Sequence, residues 1–176
     1  MAGGSTAGGG AGDPKYFGSG NDPAMYAATG MAFGDDWKNT DRDKIFTYDG
    51  EVWLVRGEMS KSILRGVTDA EEGMLAFQDA GNAKSMKIVS GVGLTGASGF
   101  IVRGGTVGSV ITYCNCGTDW KCLLNNSGTI GNYVELSGVS GRVQATGLGA
   151  GVYGRRTENG SIGVLTKFEF LLSENF

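Results

Sequence analysis

The stretch Ile45-Phe-Thr-Tyr-Asp-Gly-Glu-Val-Trp-Leu-Val-Arg56 decides the fold class. Two runs rich in aromatic and β-branched residues, 45–48 and 51–56, flank Asp49-Gly50. Asp-Gly supplies the pair of positive-φ positions that a type I′ turn needs, so the stretch predicts a β-hairpin.

The same vocabulary continues downstream. Short segments rich in Val, Ile, Leu, Phe and Tyr fall at 85–89, 100–103, 107–114, 120–124, 132–136, 142–145 and 161–171, separated by glycine. No proline follows Pro23 and no long helical period develops, which predicts antiparallel sheets in a small barrel or sandwich. In the last segment Val164, Thr166, Phe168 and Phe170 alternate with Leu165, Lys167 and Glu169, predicting one buried and one wetter face. One segment stays open: Thr68-Asp-Ala-Glu71 has capping-box form but Gly73 follows, so a short helix at 69–77 and a strand at 74–78 both fit. The 33 glycines keep no constant interval, which excludes a solenoid or a collagen repeat and leaves turns, bulges and barrel corners as their use.

Upstream the composition changes. Residues 1–12 are a Gly/Ala/Ser/Thr tract that reads as a flexible tail. Between 13 and 43, Tyr16, Phe17, Met25, Tyr26, Met31, Phe33 and Trp37 are scattered among Gly, Asp and both prolines without a period of 2 or 3.6. Large apolar groups without periodicity predict an extended arm that orders by docking on a neighbour. The charged run 35–44 reads as its solvated boundary. The expected organisation is a Gly-rich, aromatic N-terminal arm at 1–44 and a mainly β domain, an antiparallel barrel or sandwich, at 45–176. No run of about 20 apolar residues is present, nor a secretory leader at the start, so a chain made and kept in a cytoplasm is expected.

Composition removes most chemistry. There is no histidine, so a Ser-His-Asp or Cys-His apparatus and imidazole ligands are excluded. A net charge of -3 gives no global attraction for phosphate backbones, and nucleic acid is not an expected partner. Gly91-Val-Gly-Leu-Thr-Gly96 matches G-x-G-x-x-G after a strand, yet Ala97-Ser-Gly-Phe-Ile-Val-Arg103 follows instead of a helix, and Gly147-Leu-Gly-Ala-Gly151 lacks the Lys and Ser/Thr of a P-loop. No cofactor is expected.

Cys114-Asn-Cys116 and Cys122 are the only ligand-like cluster. If Gly117-Thr-Asp119 is a hairpin loop, Cys114 faces Cys122 across two strands. Small buried residues in a sheet, a Cys114–Cys122 disulfide and a soft-metal site are the three readings. Asp35-Asp36, Asp41, Asp43 and Glu71-Glu72 raise paired-carboxylate chemistry, but neighbouring acids on extended chain point apart and read as a solvated face. Arg155-Arg156 beside Glu158 reads as a polar turn before the final strand, and the sequons at Asn125 and Asn159 mean little without a leader. Trp53 and Trp120 read as core, with a sugar-stacking platform as the other use of such rings.

The stretch Gly131-Asn-Tyr-Val-Glu-Leu-Ser-Gly-Val-Ser-Gly-Arg-Val-Gln-Ala-Thr-Gly147, with Val152-Tyr-Gly-Arg-Arg-Thr-Glu-Asn-Gly-Ser-Ile-Gly-Val-Leu-Thr-Lys-Phe-Glu-Phe170, resembles the small β-barrel of tailed-phage capsid decoration (cement) proteins. The match is a pattern of hydrophobic and turn positions. It implies a homo-oligomer, often a trimer, made in a host cytoplasm and seated outside an icosahedral shell, where it clamps neighbouring major capsid subunits. The long N-terminal region and the cysteines depart from the short members of that family. The expected function is therefore a non-enzymatic virion structural protein whose arm inserts Tyr16, Phe17, Tyr26, Phe33 or Trp37 as anchors. The rivals are a carbohydrate-binding phage fibre or surface adhesin and a carboxylate hydrolase.

Overall fold

The computed structural model describes residues 16–92, 94–118, 120–147 and 152–170. The expected tail at 1–12 and most of the 147–151 glycine loop lie outside these. Among the described residues the chain is mainly β, and its strands form a four-stranded sheet, a closed five-stranded barrel and a second five-stranded sheet.

The first sheet runs β1 (Gly18–Gly20), β2 (Asp36–Asn39), β3 (Lys44–Tyr48), β4 (Trp53–Leu54), with helix α1 (Asp22–Tyr26) between its first two strands. The hairpin at 45–56 is there, with Tyr48 paired to Trp53. Its turn differs from the expectation: Gly50 has φ +93, but Asp49 stays at negative φ. The cause is the Asp49 carboxylate, which accepts from the N–H groups of Glu51 and Val52 (3.1 and 2.9 Å) and pairs with Lys61 at 2.8 Å, wrapping a longer loop around itself. Burial alone would raise the Asp49 pKa, yet these bonds outweigh it and hold the carboxyl below its usual value.

Residues 16–44 are not an extended arm. β1 lies parallel to β2 and β2 antiparallel to β3, while Met25 is fully buried and Trp37 is 8% exposed. Asn21 caps α1 by accepting from Ala24 N at 3.0 Å. Each of these elements is three to five residues long and sends about one large side chain inward, too few for a period to show. Burying Met25 contributes roughly 1.5–3 kcal/mol and Trp37 a comparable amount, which offsets only part of the ordering cost, and strand pairing to β3 and the rest of the core supply the remainder.

The barrel comprises β5 (Met59–Arg65), β6 (Leu75–Asp79), β7 (Asn82–Ile88), β8 (Ala97–Arg103) and β9 (Val110–Cys114), in the order β5-β7-β6-β8-β9. β5 is parallel to β7, and the other pairs are antiparallel. Of the two readings at 68–78 the strand is the one formed, since Gly73 adopts φ +80. Leu64, Ala76, Met86, Ile88, Ile101 and Ile111 fill the barrel, while Leu75, Phe77, Phe100 and Val102 cover its outer wall and join a second cluster. β6 and β8 are thus buried on both faces, which explains their unbroken apolar runs.

The second sheet repeats this design. β10 (Trp120–Leu123), β11 (Tyr133–Leu136), β12 (Val143–Thr146), β13 (Val152–Arg156) and β14 (Leu165–Phe170) run in the order β10-β14-β13-β11-β12, all antiparallel. Leu124 then makes one parallel bridge to Val143, which brings the two edges together. So β10 to β14 take the places of β5 to β9. The registers agree residue by residue. Ala76↔Gly99 becomes Val134↔Gly154, each followed by a bulge, and Ile101↔Tyr113 becomes Arg156↔Phe168. Leu64↔Met86 becomes Leu124↔Val143.

Isolated antiparallel bridges also match, Ala70↔Gly105 in one copy and Gly128↔Gly160 in the other. Three residues beyond each bridging residue sits a glycine at positive φ, at 73, 108, 131 and 163. The repeated string is Gly-Thr-Val-Gly at 105–108, Gly-Thr-Ile-Gly at 128–131 and Gly-Ser-Ile-Gly at 160–163.

Three expectations change with this arrangement. The closed barrel lies at 59–114, upstream of the residues that carry the decoration-protein resemblance, which form the second sheet. Arg155 and Arg156 lie within β13 and not in a turn, and Arg156 is buried. Cys114 and Cys122 do not face each other: β9 pairs with β5 and β8, β10 with β14, and all three thiols are free. β9 and β10 do not pair with each other, so the two cysteines belong to different sheets.

Candidate docking surface

The five aromatic positions expected to anchor a partner divide by sheet geometry. Paired residues on neighbouring strands share a face, so Gly18, Trp37 and Phe46 form one inward row. Trp37 packs edge-on against Trp53 with ring centres 6.1 Å apart. Tyr26 also turns inward: its ring lies under the Arg103 guanidinium at 4.9 Å, and burial pushes its hydroxyl up to about 12. Tyr16 is half-buried. Trp37 and Tyr26 are therefore occupied within the chain. Phe17 and Phe33 remain outside, at 42% and 81% exposed.

Phe17 precedes β1 and donates its N–H to the Asp36 carbonyl at 2.8 Å, which places it in the outward row with Asp36, Thr47 and Leu54. Ile45, 44% exposed, lies in the next outward row opposite Lys38. Phe33 sits in the loop before β2, where Gly34 at φ +91 turns the chain and donates to the Tyr48 carbonyl at 2.8 Å. Its ring forms one wall of a cleft of about 250 Å³ whose other lining is Tyr48, Leu54, Val55 and Met59 with Thr47, Asp49 and Arg56. An exposed ring next to an apolar cleft is the composition of an interface core. Sequence reading found Phe17 and Phe33 but missed Ile45, because its outward direction follows from a pairing register that composition does not reveal.

The face is held stiffly from behind. Arg42, 1% exposed along its side chain, binds Asp22 of α1 and Glu72 of the β5–β6 connection, each at 2.7 Å. Burial would lower its pKa, but the hydrogen bonds and charges of Asp22 and Glu72 outweigh that and raise it. Its guanidinium lies 5.5 Å from the Trp120 ring centre, and Lys44 Nζ lies 4.8 Å from the same ring. Trp120 Nε1 donates to Glu58 Oε2 at 2.9 Å, and Lys44 Nζ binds that same oxygen at 2.7 Å. One buried indole thus ties the first sheet to both copies of the repeat.

The thiols and several of the acids are occupied or buried. Burial pushes the Cys122 thiol up to about 12 and the Cys114 thiol higher still. Asp22, Glu58 and Glu72 are held in ion pairs. Among the described residues no three Cys, Asp or Glu side chains gather as metal ligands.

No protein-family model matches the chain, and no curated protein matches it in sequence. Among solved structures it is similar to the head fiber gp8.5 N base of bacteriophage phi29, with a TM-score of 0.52 and 12% identity over 64% of this chain and 92% of that one. At that identity the likeness establishes a shared fold.

Proposed function

We propose that this chain is a non-enzymatic structural protein of a bacteriophage virion, carried on the outside of the head. The observation that carries the reading is the fold shared with a phage head fiber base, and the decoration-protein resemblance of residues 131–170 points the same way. Its partner is the major capsid protein, and it works as a homo-oligomer, with a trimer favoured by that resemblance. The anchors are not the whole set of N-terminal aromatics but Phe17 and Phe33 with Ile45, presented on the outward face of the first sheet. Clamping then depends on a preformed face and not on an arm that orders late, so little entropy is lost on docking.

The carbohydrate adhesin is the weaker reading. Trp37, Trp53 and Trp120 are all buried, so none of them is free to stack on a sugar. The test replaces Phe33 by a photo-crosslinking amino acid and irradiates the chain with heads of the phage that encodes it. A crosslink to the shell protein is the expected result. A chain that neither sediments with heads nor crosslinks to the shell would refute the assignment.

A further inference from the structure

The duplicated design contains its own comparison. At the position where the first barrel carries Ile101, the second sheet carries Arg156. Arg156 is paired in register with the fully buried Phe168, so its side chain shares that inner face, and it is 1% exposed. Nε, Nη1 and Nη2 are all buried, and none has a hydrogen-bond partner. A guanidinium cannot shed its charge, so it is an expensive group to leave uncompensated. The sister copy shows that the architecture does not require it.

The surroundings are shaped for this group. A Cβ on Gly128 would collide with Arg156 Nη1, and one on Gly160 would lie 2.7 Å from Nη2. The first barrel keeps Ala70 at the place of Gly128, where the shorter Ile101 leaves room for its methyl. The neighbouring acceptors each already hold a partner, and none bonds the guanidinium. Asn132 Oδ1 takes the Thr129 N–H at 2.8 Å, Glu158 Oε1 takes the Lys167 N–H at 2.7 Å, and Thr166 Oγ1 donates to the Val164 carbonyl at 3.3 Å. Burial pulls the Arg156 pKa below the ordinary arginine value, with Cys122 and Glu158 opposing it.

The cover over the guanidinium is a pair of backbone bonds. Gly128 and Gly160 exchange backbone bonds of 3.2 Å each, where Ala70 and Gly105 exchange bonds of 2.9 Å. Both bridging residues of the second copy lack side chains, so parting the two connections breaks their two backbone bonds and the bond of 2.8 Å that Ile130 N–H donates to Asn159 Oδ1.

We propose that the inner face of the second sheet is an anion-binding site, in which Arg156 takes a carboxylate or phosphate-type oxyanion admitted past the Gly128–Gly160 bridge. The planar donor fork suits two oxygens of one such group. The source is either a free ion or an acidic side chain of a neighbouring protein.

The test is a thermal melt of the intact chain in a zwitterionic buffer, with sodium acetate or sodium phosphate added against sodium chloride at equal ionic strength. The wild-type chain is expected to gain about 5–10 °C over the chloride series at a hundred times the dissociation constant. Arg156→Ile, the sister residue, and Arg156→Met, closer in volume, should lose that gain and melt no lower than wild type in buffer alone. A second arm uses a blocked aspartyl peptide. Stabilisation by the peptide but not by the free ions assigns the site to a protein carboxylate, and stabilisation by the ions assigns it to a free anion. No oxyanion-specific gain in the wild type in either arm, or the same gain in both variants, overturns the proposal. So does failure of both variants to fold, which would make Arg156 structural.

Discussion

Replacing Arg42 by Met tests whether the first sheet is locked to the rest of the chain by one side chain. The substitution keeps the volume and removes ion pairs of 2.7 Å to both Asp22 and Glu72. Stripping one partner from a buried pair costs about 3–5 kcal/mol, because the other charge is left without compensation. Here the abandoned carboxylates are 14% and 31% exposed along their side chains, so water recovers part of the loss. That puts the expected destabilisation near ~3 kcal/mol, or about 6–12 °C in Tm for a chain of this size. Urea unfolding followed by circular dichroism measures the total. Trp120 fluorescence reports the local event, since the guanidinium is stacked 5.5 Å from that ring. Limited proteolysis should open the 27–35 connection first. The triple variant Arg42→Met, Asp22→Asn, Glu72→Gln should recover most of the loss. A single variant within 1 kcal/mol of wild type, with unchanged Trp120 emission, would show that the ion pairs hold nothing.

Two further outcomes follow from the repeat and the thiols. Gly99→Ala and Gly154→Ala each push a methyl against the backbone of the facing strand, at Cys114 and Glu169, and each should cost ~1–3 kcal/mol. The Gly154 methyl also meets the Phe168 ring, which packs on Phe100 beside Gly99 with ring centres 4.3 Å apart, so the double variant should show a coupling of about 0.5 kcal/mol or more, and strict additivity in a chemical melt would contradict that shared contact. Ellman titration of the native protein should find Cys116, which is half-buried, reacting first, with Cys114 and Cys122 released only on unfolding. Rapid reaction of either buried thiol would contradict the burial that raises their pKa.

The hairpin at 45–56 and the strand-rich body could be read directly because Asp-Gly and β-branched runs act locally. The turn type could not, since Lys61, which helps draw the Asp49 carboxylate, comes from β5. The burial of Met25 and Trp37 was hidden by elements too short to show alternation. The duplication was hidden for a different reason. What the copies share is backbone demand, such as glycine where β8 and β13 approach their neighbours, while the side chains at matched places differ as far as Ile101 and Arg156. The cysteines misled because Gly117-Thr-Asp119 has turn composition, yet β9 and β10 on either side of it belong to different sheets.

Trp120 also sets an order of events during synthesis. Arg42 and Lys44 rest on an indole that leaves the ribosome only after the whole first barrel has been made. The first sheet can therefore form its Arg42–Asp22, Arg42–Glu72 and Lys44–Glu58 pairs before the indole arrives, and only translation of the second copy completes its seat. A nascent chain whose first 115 residues have cleared the ribosome would carry a closed barrel and a leading sheet already paired to Glu58 and Glu72, with the seat beneath Arg42 and Lys44 still empty of its indole.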